Sequence, residues 1–290
     1  MSRIVVLGDV MVDVVTRLSA PLAPGSDAPA VIRLHGGGSA ANTAAWLAEA
    51  GAEPVLVGRV GDDERGRGAA DELRAAGVDA RLVADPELPT GTCVVIVGPD
   101  GERTMAPDAG ANDALTDTDL ADELLASAQH LHVAGYALLR PGSRPAARAA
   151  ISRARSHGMT VSVDPSSAAL LSPEFLDHAE GTGLLLPNVD EARMLSGEAD
   201  PPERAARALA SRFDEVVVTL GADGALWTDG RDIVRADAVP VEAAVDSTGA
   251  GDAFAAGLLS ARLNGAAPIE ALTAGARLAA KAVARPGGRP

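Results

Sequence analysis

Aromatic side chains are almost missing from this chain: three Phe, two Trp and one Tyr make up 2% of its 290 residues. Any core must be built from Ala, Val and Leu, and a hydrophobic share of 47% supplies enough of them. Cysteine is limited to Cys93, which excludes an intrachain disulfide and points to a reducing compartment. Lying inside "TGTCVVIV", it reads as core filler rather than as a nucleophile. No apolar run approaches the length of a membrane span. The opening "MSRIVVLGD" has too short an apolar part for a signal peptide, and Asp9 ends it without a cleavage-type site. A cytoplasmic protein is expected. Basic residues are also scarce, 25 Lys and Arg against 40 Asp and Glu, for a net charge of −15. That balance argues against nucleic acid as a partner, because phosphate contacts need basic patches. An anionic small substrate stays open if backbone amides or a metal supply the local positive field.

What is present is a regular alternation. Short β-branched runs recur at "RIVVLG" (3–8), "PVLVGRV" (54–60), "HLHVAG" (130–135), "TVSVDP" (160–165), "GLLLPN" (183–188) and "EVVVTLG" (215–221). Between them lie alanine-rich helical patterns such as "SAANTAAWLAEAG", "DERGRGAADELRAAG", "RPAARAAISRARSHG" and "PPERAARALASRF". Strands separated by helices of this length indicate βαβ units in a doubly wound, mostly parallel α/β sheet flanked by helices. The length suits one such domain over 1–290 that carries an insertion. Two stretches break the alternation: "DVVTRL" and "AVIRLH" within about 13–35, and a hairpin built from "TGTCVVIV", "PDG" and "ERTMAP" within about 90–107. Strands without intervening helices do not belong to a parallel core, so they are expected to form a small separate β-sheet, projecting as a lid. The alternative is an antiparallel extension of the main sheet.

Glycine punctuates the segments that could carry chemistry. In "VDSTGAGDAFAAGLLSARL", Phe254, Gly257, Leu258 and Ala261 follow the spacing of a buried helix face, so a helix begins around Gly249 to Gly251. Gly249, Ala250 and Gly251 leave its first turn bare, and their N–H groups at the positive end of the helix dipole form an anion hole. Asp252, in the same turn, is expected to be ionised at neutral pH and able to accept a proton. On these residues alone, a capped helix start is an equal reading. The segment lacks the lysine of a Walker-type loop, and "GDVMVD" after the first strand is no dinucleotide fingerprint. In "HGGGSAANTAAW", glycines precede a helix whose first turn carries Asn42. "LPNVDEARMLSG" sets Asn188 and Glu191, and "VTLGADGAL" sets Thr219, Gly221 and Gly224, at the carboxyl ends of strands, where open α/β sheets bind ligands. Each also reads as an ordinary cap or turn.

Taken in order, "GDVMVD", "GGGSAAN", "PNVDE", "TLGADG" and "DSTGAGD" resemble the ribokinase-like carbohydrate kinases, the phosphofructokinase-B family. The resemblance spans nearly the whole chain, lid included. It implies a kinase using ATP and Mg²⁺, with Asp252 as the base that deprotonates a hydroxyl and Gly249 to Gly251 as the hole for the transferring phosphoryl. It gives Asp13, Gly37, Gly38 and Asn42 to the sugar, Asn188 and Glu191 to phosphate and Mg²⁺-bound water, and Thr219, Gly221 and Gly224 to the nucleotide. It also implies a monovalent cation such as K⁺ near Asp246 and "ARPGG", and a homodimer formed through the lid. Arg103 in "GERTMAPDAGAN" is in a position to reach an anionic or hydroxyl-rich substrate from the lid; the alternative is a charge on an exposed hairpin that is merely solvated. Met11 stands where ribokinases have asparagine, and "DPSSAALL" lacks the DPNxR pattern of fructokinases and ketodeoxygluconate kinases, so no single sugar stands out. A nucleoside kinase of the family is the nearest rival, with Tyr136 and Trp46 as aromatic candidates; the scarcity of aromatics favours a sugar. A non-catalytic ligand sensor is a further rival, opposed by the intact Asp252 segment.

Overall fold

Every residue of the first run from Ile4 to Leu7 is buried. A strand covered on both faces belongs inside a parallel sheet with helices on each side, and the computed structural model, which describes residues 2–100 and 102–290, puts it there. The strands are β1 (Arg3–Leu7), β2 (Met11–Leu18), β3 (Ala30–Gly37), β4 (Glu53–Gly61), β5 (Asp79–Asp85), β6 (Gly91–Val97), β7 (Arg103–Asp108), β8 (His130–Ala134), β9 (Thr160–Asp164), β10 (Leu184–Leu185), β11 (Glu215–Thr219), β12 (Ala225–Thr228) and β13 (Ile233–Ala236). The main sheet has the order β13-β12-β11-β10-β9-β8-β1-β4-β5. It is parallel except where β12 runs against β11 and β13.

The helices are α1 (Ser39–Glu49), α2 (Glu64–Ala75), α3 (Asp122–Ala126), α4 (Tyr136–Leu139), α5 (Arg144–Ser156), α6 (Phe175–His178), α7 (Val189–Ser196), α8 (Pro202–Leu209), α9 (Ala250–Leu263) and α10 (Pro268–Val283). Residues of α3 to α8 pack one face of the sheet, and residues of α1, α2, α9 and α10 pack the other. With so few large side chains, the second layer closes by backbone approach. A Cβ on Gly257 would lie 2.6 Å from the Ala274 carbonyl oxygen, and one on Gly275 would lie 2.9 Å from the Phe254 ring. Among the described residues no helix is long and apolar enough to cross a membrane.

The four strands without helices form their own sheet, in the order β3-β2-β6-β7, rather than extending the main one. Met1 of the opening run and Gly101 of the hairpin turn lie outside the described residues. One face of this lid, carrying Met11, Asp13, Cys93, Met105 and Pro107, lines a cavity. Cys93 is buried there and its thiol is pushed up to about 11 by burial, which agrees with core filler. The run "GLLLPN" forms less strand than expected: only Leu184–Leu185 pair on both sides, with one further bridge from Asn188 to Thr219. Pro187 has no N–H to continue the ladder. Strands β5, β12 and β13 and helix α10 add to the alternation read from the sequence.

Lid and main sheet are joined by the short link between β1 and β2. Asn112 pins that link from the side: its Oδ1 accepts from Val10 N–H at 2.8 Å and its Nδ2 donates to the Val10 carbonyl at 3.0 Å. Replacing Asn112 by Ala leaves both buried groups unpaired, so stability in a urea titration should fall by roughly 2–6 kcal/mol, at about 1–3 kcal/mol per unsatisfied group.

Candidate active site

The carboxyl ends of β1, β8, β9, β10 and β11 all open on one side of the main sheet, beneath the lid. A cavity of about 490 Å³ lies there, lined by Asp9, Asp13, Tyr136, Asp164, Asn188 and Thr219 among others. The first turn of α9 forms part of its wall. Gly249 caps that helix with φ 74°, and a Cβ on it would sit 2.4 Å from the Gly288 carbonyl oxygen. Gly251 differs, because it has helical backbone and a Cβ there would meet nothing within 4 Å. The protein's own packing gives no reason for that glycine. The N–H groups of Gly249, Gly251 and Asp252 have no backbone partner in this turn, as expected at a helix start. Ala250, expected to contribute as well, instead gives its N–H to the Ser247 carbonyl at 3.3 Å.

Asp252 connects two helix starts. Its Oδ1 accepts from the Ser39 hydroxyl at 2.8 Å and its Oδ2 from Asn42 Nδ2 at 2.9 Å, both from the first turn of α1. Burial, with the nearby Asp164 carboxylate second, pushes Asp252 up to about 7, against the lowering effect of these two hydrogen bonds. This corrects the expectation of a fully ionised carboxylate at neutral pH: desolvation outweighs the helix dipole. A base titrating near 7 is well matched to general-base work.

Helix α1 can start here because Gly38 has φ 93° and a Cβ on it would lie 2.5 Å from the Asp9 carbonyl oxygen. Gly37 makes room for Asp13, whose Oδ1 would be 2.4 Å from a Cβ at that position. Asp13 is buried, and that burial pushes its carboxyl up to about 6 even with Arg289 nearby. The chain near its C-terminal end braces this corner. Trp46 Nε1 donates to the Gly288 carbonyl at 2.9 Å, and Arg289 donates to the Gly37 carbonyl at 2.8 Å and to Glu72 at 3.0 Å. Trp46 is thereby fully buried and unavailable for stacking on a ligand.

A second cavity, about 650 Å³, lies beyond α9, lined by Gly221, Ala222, Gly224, Val239, Pro240, Val241, Ala276 and Ala279. Its lining is mostly small and aliphatic. The two cavities share Thr219, Gly251 and Phe254, so they meet at the first turn of α9. Asn188 and Glu191 border this junction, and they also form a capping box for α7: the Asn188 Oδ1 accepts from Glu191 N–H at 2.9 Å, and Glu191 Oε2 accepts from Asn188 N–H at 2.8 Å. Cap and cavity wall are one arrangement, so the two readings of "PNVDE" are compatible.

Asp164, at the end of β9, joins the same wall. Its carboxyl is held well above the usual range by burial and by the neighbouring Glu191, and burial raises Glu191 too. Two carboxylates in this state fit a divalent cation, whose charge relieves both. Among the described residues no three metal-ligating side chains sit close enough to hold an ion alone, so such a cation would complete its shell with water and phosphate oxygens, as Mg²⁺ readily does.

Arg103 and Asp246 meet each other instead of separate ligands. Arg103 reaches from the lid to donate to Asp246 Oδ1 at 2.6 Å and to the hydroxyls of Ser247 and Thr248. Asp246 also accepts from the N–H groups of Thr248 at 2.9 Å and Gly287 at 3.2 Å. Its carboxyl is lowered, since these hydrogen bonds and Arg103 outweigh burial. A monovalent cation at Asp246 would compete with the guanidinium for the same oxygen, and these residues do not fit one in this arrangement. Asp9, Asp164, Arg140 and the Gly288 and Arg289 brace were not singled out from sequence, and Tyr136 was read only as an aromatic candidate for a nucleoside. Asp9 and Asp164 carried the available signal, an aspartate at the carboxyl end of a buried strand.

A model of the pfkB family carbohydrate kinases matches residues 1–290. An ATP-dependent ribose-1-phosphate kinase from Halopiger xanaduensis is 34% identical over 90% of this chain and 84% of its own length. The solved structure of adenosine kinase from Sinorhizobium meliloti superposes with a TM-score of 0.90 at 28% identity, covering 100% of this chain and 95% of that one. A ribokinase II from E. coli, solved with ATP and Mg²⁺, gives a TM-score of 0.87 at 27% identity over 99% of this chain and 94% of that one.

The contrast between the two glycines is testable. Gly249→Ala should lower stability by roughly 1–2 kcal/mol or more, because it forces a side chain into left-handed backbone. Gly251→Ala should melt at an equal or higher temperature, alanine being about 0.5–1 kcal/mol better inside a helix, yet bind ATP more weakly in calorimetry. Unchanged ATP affinity in the second variant would count against a ligand at this turn.

Proposed function

The chain belongs to the pfkB family of carbohydrate kinases, and on that premise we propose that it transfers the terminal phosphoryl group of ATP to a hydroxymethyl group of a small sugar or sugar derivative. The observation that carries this reading is the position of Asp252 and the free N–H groups where the two cavities meet. The cavity under the lid takes the acceptor, and the aliphatic cavity beyond α9 takes the nucleotide. Asp13 and Asn42 hold acceptor hydroxyls, while Gly37 and Gly38 let the backbone come close. Thr219, Gly221 and Gly224 line the nucleotide.

In the transfer, an Asp252 oxygen accepts the proton of the acceptor hydroxyl. The freed oxygen attacks the terminal phosphorus, and the bond to the ADP oxygen breaks. Negative charge on the transferring group is met by the N–H groups of Gly249, Gly251 and Asp252, which are already aimed and need no reorganisation. Asn42 and Ser39 keep the carboxylate oriented. Bound beside Asp164 and Glu191, Mg²⁺ would neutralise charge on the nucleotide phosphates.

A nucleoside acceptor is the second reading, kept by the similarity to adenosine kinase. With Trp46 buried, Tyr136 is the one Trp or Tyr on the acceptor cavity, which favours a sugar. We also assign a homodimer to the outer lid face. There Val14, Ile32, Leu34 and Val94 share one side of the sheet by register, and Ile32 and Leu34 are 62% and 61% exposed. An apolar sheet face of this kind marks an association surface.

Asp252→Asn should lower turnover by roughly 10²–10⁴-fold, the usual weight of general-base catalysis, while leaving the KM for ATP nearly unchanged. Because its pKa is raised to about 7, Asp252 must lose a proton to work, so kcat/KM should climb with pH through that region and fall away below it. The acid limb should vanish in Asp252→Asn; near-full activity in that variant rules out this base. Leu34→Asp should give a monomer by light scattering where the parent chain gives a dimer.

A further inference from the structure

Three arginines stand around the acceptor cavity, and their partners differ. Arg103 is held by Asp246, Ser247 and Thr248. Arg289 is held by Glu72 and the Gly37 carbonyl. Arg140 lines the cavity, half-buried, and among the described residues its side chain has no ion pair or hydrogen bond; its guanidinium carbon lies 5.2 Å from the centre of the Tyr136 ring. The same cavity carries Asp9, Asp13, Asp164, Glu191 and Asp252, yet none of these carboxylates takes the guanidinium. Its side-chain N–H groups are therefore without a protein acceptor on the cavity wall, and the guanidinium carbon lies over the Tyr136 ring within cation–π range.

Strand order says which half of the site this is. Arg140 follows β8 and α4, and β8 lies beside β1, whose end leads to Asp9 and Asp13. The nucleotide cavity lies on the other side, beyond β10 and β11, and Arg140 is not part of its lining. An unpaired, half-buried guanidinium in an acidic, partly desolvated cavity fits a planar or tetrahedral oxyanion, which it can grip with two parallel N–H groups.

We propose that the acceptor carries an anionic group, a phosphate monoester or a carboxylate, that Arg140 binds against the Tyr136 ring. This rests on the kinase reading and narrows its substrate class: neutral sugars and nucleosides lack the group that Arg140 awaits.

The test is ADP release in the presence of ATP and Mg²⁺ with acceptors paired by charge: pentoses and hexoses, their phosphate monoesters, the matching sugar acids, and nucleosides. The expected result is a kcat/KM for one anionic class roughly 10–100-fold above its neutral counterpart, the weight of a hydrogen bond to a charged group. The phosphate and acid arms tell which oxyanion is used. Arg140→Met should raise the KM for that acceptor by a similar factor and leave the KM for ATP unchanged, and Arg140→Lys should recover part of the loss. Circular dichroism and melting temperature check that both variants are folded. Equal or better turnover of neutral acceptors, or a variant that raises the KM for ATP instead, overturns the proposal. Absence of ADP release with every acceptor, anionic or neutral, overturns the kinase reading itself.

Discussion

The carboxylate of Asp252, gripped by Ser39 and Asn42, ties the first turn of α9 to the first turn of α1 across more than two hundred positions of sequence. Much of the acceptor side follows from that tie. It sets the angle at which the free N–H groups enter the cavity, it requires α1 to begin at Gly38, and it leaves the corner open for the Gly288 and Arg289 brace. As the proposed base, a carboxylate that also closes tertiary structure would lose little orientation freedom when substrate arrives, which is how positioning contributes to rate.

The electrostatics of the cavity run in one direction. Asp13, Asp164, Glu191 and Asp252 are all raised by burial, and Asp164 additionally by its carboxylate neighbour. An acidic chain with an acidic cavity should repel a polyanionic nucleotide, and the fold answers with local rather than global positive charge. In the proposed reading, backbone amides at a helix start, a divalent cation beside Asp164 and Glu191 and the half-buried Arg140 would do the work that a basic surface does elsewhere. Net charge therefore says little about whether this protein handles phosphates.

Much of the main sheet was legible because its strands are continuous β-branched runs and its helices are alanine-rich and glycine-ended. The lid was legible because "DVVTRL" and "AVIRLH" have no helix between them. "DSTGAGD" and "HGGGSAAN" could be read as ligand-facing since glycines cluster there beyond what a turn requires. Single residues at strand ends were harder: Asp164 and Arg140 follow ordinary strands with no glycine signal, and their importance comes from what surrounds them in space. Arg103 was visible as a lid residue, but its partner, Asp246, lies far along the chain. Pro187 hid the shortness of β10 inside an apolar run that looked long enough to pair.

Helix α9 rests on α10 through Gly257, which meets the Ala274–Gly275 backbone, and through Gly275, which meets the Phe254 ring. Aliphatic cores usually accept exchanges of similar volume, because neighbours shift rotamers to compensate. That freedom is narrowed along this seam, because an atom added at Gly257 meets the backbone of α10, which has no rotamer to shift. The layer under α3 to α8 is free to drift through Ala, Val and Leu exchanges, whereas the layer under α9 is confined to a narrow set of sequences. The two sides of one sheet should thus evolve at different speeds, and the slower side is the one that carries α9, whose first turn lines both cavities.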